Sequence, residues 1–206
     1  MDLLPLVLAS SSPRRKSLMS EAGLQFLVDA ADIEEEQFAG EAPDQMVLRL
    51  AKEKASDRAL RHPESLVLGC DTTVWLPETG QVEKEHGRVL GKPESAADAE
   101  QMLRALSGRE HSVFSGVCLM CREKKICETF VVETKVVFRE LDDDEIRDYV
   151  ETKEPFDKAG AYAIQGGAGH FVSRINGSYS NVVGLPLAEV MQHLKRFGIR
   201  PCSRGD

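Results

Sequence analysis

Long apolar runs are missing from this 206-residue chain: no stretch approaches the roughly 18 consecutive apolar residues of a membrane-spanning helix. Blocks of basic residues are missing as well. Lys and Arg number 26 against 34 Asp and Glu, for a formal net charge of −8. With no basic stripe against that background, a general nucleic-acid binder is not expected. A small phosphorylated ligand stays open, because a few well-placed cations suffice for it. The chain also lacks an internal repeat, a low-complexity segment, a linker, and the Gly-x-x-x-x-Gly-Lys-Ser/Thr of a P-loop. Its start, Met1-Asp2-Leu3-Leu4-Pro5, has neither the charged opening nor the long apolar core of a signal peptide, so a cytoplasmic protein is expected.

Metal-binding cysteine patterns are absent too. The five cysteines are scattered, and Cys118-x-x-Cys121 has no second pair to complete a tetrahedral site. It also lies in a run, Val113–Met120, that reads as a strand, which turns the two thiols toward opposite faces. These cysteines are expected to be free, mostly buried thiols. The five histidines form no spaced metal or triad pattern. His111, at a strand start, reads as a structural hydrogen-bonding group rather than a catalyst.

What is present begins near the N-terminus. Pro5 to Ala9 reads as a buried strand, followed by Ser10-Ser11-Ser12-Pro13-Arg14-Arg15. The serines are N-cap candidates, and Pro13 sits where a first helical position tolerates proline. Two arginines then open the helix that runs to about Gly23. They are the wrong charge for the positive end of a helix dipole. Either the turn is simply solvated, or an anion such as phosphate lies there, held by backbone N–H groups, serine hydroxyls and arginine forks.

Gln25–Val28 reads as a short strand and Asp32–Glu36 as an acidic loop, which is usually just solvated. Pro43-Asp44 begins a helix with apolar Met46, Val47, Leu50, Ala51 and Ala55. Lys52 and Lys54 fall about 200° apart on it, so at most one can share the direction of a site. Leu66–Trp75 reads as a central strand interrupted by Asp71, and a carboxylate there is costly unless paired, liganded to metal or reacting. Pro77–Leu90 reads as a hairpin excursion leading to Gly91-Lys92-Pro93.

A helix is expected over Ala96–Leu106 behind Ser95, then strands over His111–Met120 and Glu128–Phe138, and an acid-capped helix from Asp142 to Val150. Glu154–Gly167 is too rich in glycine and paired charge for a packed element, and long ordered loops are usually functional. Phe171–Ile175 reads as a strand, Asn176-Gly177 as a hairpin turn, and Asn181–Leu185 as the returning strand. A last helix starts at Pro186, and the tail from Ile199 is expected to fray. The alternation of strands and helices gives an α/β class with a mixed sheet.

Seven segments, taken together and in order, resemble the Maf family of nucleotide pyrophosphatases: Leu8–Arg15, Ala51–Ala55, Gly69–Thr72, Gly91–Pro93, Leu106–His111, Glu154–Tyr162 and Asn181–Leu187. The resemblance spans nearly the whole chain. It implies one domain over residues 1–206, with a curved mixed sheet, flanking helices and two lobes around a central cleft, as in the inosine-triphosphate pyrophosphatase group. It implies hydrolysis of a nucleoside triphosphate to the monophosphate and pyrophosphate with a divalent metal cation, Mg²⁺ or Mn²⁺, and a homodimer. The associated biology is removal of non-canonical nucleotides, and an older link is to inhibition of division.

By the same resemblance Asp71 matches the proton acceptor, and Ser10, Arg14, Glu35, Lys54 and Lys92 match positions that handle phosphate and metal. The family's Asp-Thr branch prefers dTTP and UTP, and its Asp-Gln branch 7-methyl-GTP. Asp71-Thr72 places this chain with the former, and Arg14, Thr72 and Gln165 match that branch's specificity positions. Cys70 replaces an expected Ala or Ser, Ala163 an expected Gly, Ser115 a usual Thr, and the excursion before Lys92 is longer than usual.

The expected roles are therefore catalysis by Asp71, Lys54 and Lys92; substrate binding by Ser10, Arg14, Arg15, Thr72 and Gln165; and metal binding by Glu35 and Asp71. Gln165 offers one donor and one acceptor, matching the N3–H and O4 edge of uracil or thymine. Two other readings remain open from sequence: a 7-methyl-GTP pyrophosphatase, and a nucleotide-binding regulator of division without turnover.

Overall fold

Leu6–Leu8, apolar on both sides, form strand β1, and all three residues are buried. The computed structural model describes residues 4–78 and 87–202. After β1 come helix α1 (Pro13–Glu21), strand β2 (Leu27–Val28), helix α2 (Pro43–Arg61), strand β3 (Leu66–Pro77) and strand β4 (Gly87–Leu90). Helix α3 (Ala96–Leu106), strands β5 (Glu110–Cys121) and β6 (Ile126–Phe138) and helix α4 (Asp143–Glu151) follow. The chain ends with three short 3₁₀ turns between Glu154 and Phe171, strand β7 (Val172–Asn176), and helices α5 (Tyr179–Val183) and α6 (Leu187–Arg196). The strands make a seven-stranded mixed sheet in the order β2-β1-β3-β5-β6-β7, with β4 on β3.

The chain divides into two compact units. The first comprises Met1–Asp71, Ser115–Val132 and Gly184–Asp206, and the second Thr72–Phe114 and Glu133–Val183. In the first unit β1 lies parallel to both β2 and β3, with Leu6, Val7 and Leu8 opposite Leu66, Val67 and Leu68. Parallel strands covered on both faces read as continuous apolar runs, as β1 and the start of β3 do, whereas Leu27 and Val28 of β2 are exposed. Helix α2 lays a row of alanines (Ala51, Ala55, Ala59) against Val7, Val67 and Cys118. The approach is so close that a Cβ on Gly69 would stand 2.2 Å from the Ala51 carbonyl oxygen, and one on Gly116 2.2 Å from that of Val47. Glycine is needed there for closeness, not for backbone freedom.

In the second unit β3 continues and pairs antiparallel with β4, Val74 opposite Leu90 and Pro77 opposite Gly87. That agrees with a hairpin excursion, whose middle, 79–86, lies outside the described residues. Helices α3 and α4 pack their apolar faces (Leu103, Leu106, Ile146, Tyr149) into one core with Phe138 and Phe171. Ser95 caps α3, accepting the Asp98 N–H at 3.1 Å. Asp142 and Glu145 form a reciprocal capping box on α4.

Two expectations need correction. Asn181–Leu185 does not return as a strand, because Tyr179–Val183 is helical. The buried Asn181 side chain explains the difference: its Nδ2 donates to the Val113 carbonyl and to Thr134 Oγ1, both at 3.0 Å. A hairpin return would have to give up those partners. Second, Glu154–Gly167 is partly packed, with Ala161, Tyr162 and Ala163 buried. The tail is described as far as Cys202, and the fraying expected over 203–206 lies outside the described residues. Ile199 is buried, and the Cys202 N–H donates to the Gly23 carbonyl at 2.9 Å.

Candidate functional site

Asp71 is the last residue of the first unit on β3, and only 6% of its surface is exposed. Lys54, on α2, is just as buried at 5%. The small face of α2 that lets the helix press against the sheet carries Lys54 next to Ala55, so close packing and placement of the amine have one cause. Lys54 Nζ donates to Asp71 Oδ1 at 2.6 Å and lies 2.5 Å from Glu35 Oε1. Glu35 comes from the acidic loop between β2 and α2 and is half exposed at its side chain, 47%. One ammonium thus joins two carboxylates from elements far apart in sequence. Neither a buried amine nor a buried carboxylate is tolerated unpaired, so each accounts for the other. Lys52, by contrast, is exposed.

The turn after β1 is ordered by its own side chains. Ser12 caps α1, accepting from the Arg15 N–H, and no acidic residue occupies the first turn of that helix. Ser10 is buried; its Oγ accepts the Ser12 N–H at 3.2 Å and an Arg15 Nη1 hydrogen at 3.0 Å. Arg15 Nε donates to the Gly184 carbonyl at 2.8 Å, and the Cys70 thiol reaches the same oxygen at 3.5 Å. Of the two arginines, then, Arg15 is buried and engaged with Ser10 and Gly184, whereas Arg14 is half-buried. The sequence could not separate them, because the distinction depends on where the chain 169 residues later places a carbonyl.

Thr72, Lys92 and Gln165 belong to the second unit. Thr72 is half-buried and Lys92 exposed. The Gly91–Pro93 turn is tied to the 158–161 segment by the Gly160 N–H, which donates to the Gly91 carbonyl at 3.0 Å. Gln165 is exposed on a tight turn closed by the Gly166 N–H on the Ala163 carbonyl at 3.0 Å.

His111 lies in the second unit's core, with Nε2 2.9 Å from the Tyr162 hydroxyl and no protein partner for Nδ1. Burial pushes its pKa down to about 3, so the ring is neutral at pH 7. Burial pushes the Cys118 thiol up to about 12, with Cys127 beside it reinforcing the shift. Cys70, Cys118 and Cys121 are buried, Cys127 and Cys202 exposed, and none of the five is in a disulfide.

Among the described residues no group of three or more His, Cys, Asp and Glu side chains gathers as a ready metal cage. Glu35 and Asp71, two hard oxygen donors meeting at one nitrogen, are the donor set that suits Mg²⁺ or Mn²⁺. Such ions commonly take one or two carboxylates and keep waters and phosphate oxygens for the rest.

Comparison with known proteins adds the following. The family described as Maf-like protein matches residues 5–197. The chain is 51% identical over 193 residues to a dTTP/UTP pyrophosphatase of Geobacter sp. (strain M21), covering 94% of this chain and 95% of that protein. It is 49% identical to the dTTP/UTP pyrophosphatase of Geobacter sulfurreducens, over 94% of this chain and 96% of that one. The protein of the same name from Bacillus cytotoxicus is 47% identical over 93% and 94% of the two chains. Among solved structures, protein VC0702 from Vibrio cholerae aligns over 72% of this chain and 70% of that one at a TM-score of 0.32 and 11% identity, a likeness too slight to bear on the fold.

Proposed function

Because the chain belongs to the family of Maf-like proteins, we propose that it is a nucleoside triphosphate pyrophosphatase cleaving dTTP and UTP to the monophosphate and pyrophosphate. The observation that carries this reading is the buried Lys54 ammonium between Asp71 and Glu35. A regulator that only bound a nucleotide would have no need of a carboxylate and an amine held together at such desolvation cost.

In this reading Asp71 takes a proton from the attacking water, and Lys54 fixes the carboxylate's orientation and offers positive charge to the phosphate under attack. Arg14, Lys92, Ser10 and the N–H groups at the start of α1 receive the triphosphate. Arg15 acts at one remove, holding Ser10 and Gly184 in place. Thr72 and Gln165 read the base, with the amide of Gln165 pairing the N3–H and O4 edge. A divalent cation fits Glu35 and Asp71, and when bound it would neutralise phosphate charge and lower the pKa of water.

The experiment is a panel of dTTP, UTP, 7-methyl-GTP and ATP with Mg²⁺ or Mn²⁺, with products identified by chromatography. Pyrophosphate and a pyrimidine monophosphate are expected. Preference for 7-methyl-GTP, or binding without turnover, would replace this reading with one of its rivals. Homodimerisation, implied by the family resemblance, is tested by sedimentation. No helix among the described residues is long and apolar enough to cross a membrane, and cytoplasmic residence accords with that.

A further inference from the structure

Gln165 sits on the exposed turn 163–166, and an exposed turn by itself would let its side chain wander. The residues two positions to either side of it are tied down by side chains from elsewhere in the same unit. On one side the Ala163 N–H donates to the Tyr149 hydroxyl at 3.1 Å. On the other the Gly167 N–H donates to Glu154 Oε2 at 2.8 Å. The two side chains come close together at Gly167.

The bracket is tight. A Cβ on Gly166 would stand 1.5 Å from Glu154 Oε1, and one on Gly167 3.1 Å from both Glu154 Oε2 and the Tyr149 ring. Glycine at both positions is what lets the carboxylate lie against the backbone of the turn. Tyr149 is buried on α4, and burial, with Glu154 beside it, holds the phenol well above its ordinary pKa. It therefore stays protonated while accepting from Ala163.

The geometry points to Tyr149 and Glu154 as positioning residues for base recognition, holding the Ala163–Gly167 backbone so that Gln165 presents its amide in one orientation. The inference rests on the base-reading role given to Gln165 above. A pocket that selects by hydrogen bonds discriminates only if its polar groups are held in place before the ligand arrives. Neither residue touches the reacting phosphate in this assignment, so chemistry on a poor base should be indifferent to them.

The test uses the full chain with Tyr149→Phe, Glu154→Ala and Glu154→Gln. Without nucleotide, amide hydrogen exchange should quicken about tenfold at Ala163 in Y149F and at Gly167 in E154A, while the β6 amides keep their rates. E154Q, which keeps an acceptor, should restore Gly167. In steady state, KM for UTP should rise severalfold in Y149F and E154A with little change in kcat, and the constants for ATP should stay put. Neither variant should add to the defect of Gln165→Ala.

Unchanged amide exchange would overturn the bracket. Quickened exchange with intact UTP-over-ATP preference, in a protein where Q165A abolishes that preference, would overturn the positioning role. If Q165A itself leaves the preference intact, the base-reading role falls and the positioning claim with it, although the exchange data still report the bracket. A uniform loss of kcat on every nucleotide would mark Tyr149 and Glu154 as structural and refute the inference.

Discussion

At the scale of single residues, the Lys54 ammonium is what makes a buried Asp71 affordable, and the pair can be taken apart from either side. Asp71→Asn keeps the size of the side chain but cannot accept a proton from water. It should lower kcat on dTTP by about a hundredfold or more with a small change in KM; turnover near wild type would remove Asp71 from its assigned role. Lys54→Met strands a buried carboxylate, and urea unfolding should show a loss of about 3 kcal/mol or more, on top of the lost activity. The double variant Lys54→Met/Asp71→Asn should recover part of that stability but none of the activity. The contrast separates a structural ion pair from a catalytic one.

At the scale of elements, the site depends on how closely α2 lies on the sheet. Gly69 and Gly116 meet the backbone of that helix at distances no Cβ could occupy, so α2 must move if either is replaced. Gly69→Ala should destabilise the protein by about 1–3 kcal/mol in denaturant titration and lower activity beyond the stability loss, because Lys54 moves with the helix. Helix α4, which carries Tyr149, depends on its N-terminal capping box. Asp142→Ala should cost about 1 kcal/mol there. Arg139, with the backbone N–H of Asp142, holds Glu145 of that box down to about 2 from 4.5. A carboxylate with a depressed folded pKa stabilises above its unfolded value and ceases to as pH falls through the folded one. The box should therefore weaken between pH 4.5 and 2, and a Glu145→Gln protein should show less of that loss by circular dichroism.

For the molecule as a whole, acid should tell first at His111. Its folded pKa near 3 lies below the 6.5 of an unfolded histidine because burial disfavours the imidazolium. Stability from the neutral ring is complete above pH 6.5 and is lost as pH falls from there toward 3, by at most about 1.4 kcal/mol per pH unit. His111→Gln should flatten the stability profile over pH 6.5 to 4.5, as measured by unfolding midpoints; an unchanged slope would clear this residue. Much of the architecture was legible without coordinates, because strand β1, the helices behind Ser12, Pro43, Ser95 and Asp142, and the long strands β3, β5 and β6 are specified by local periodicity and caps. So was Asp71 as an anomaly in an apolar strand. The residues alone could not say that Asn181–Leu185 would be helical, since that outcome turns on a buried amide finding Val113 and Thr134. Nor could they tell Lys54 from Lys52, Arg14 from Arg15, or show Tyr149 as more than an apolar-face residue of its helix. Sequence by itself determined most of the elements, those whose causes lie within a few neighbours along the chain. Tertiary structure decided which side chains share a partner, because desolvation and hydrogen bonding are settled among groups that meet only after the chain has folded.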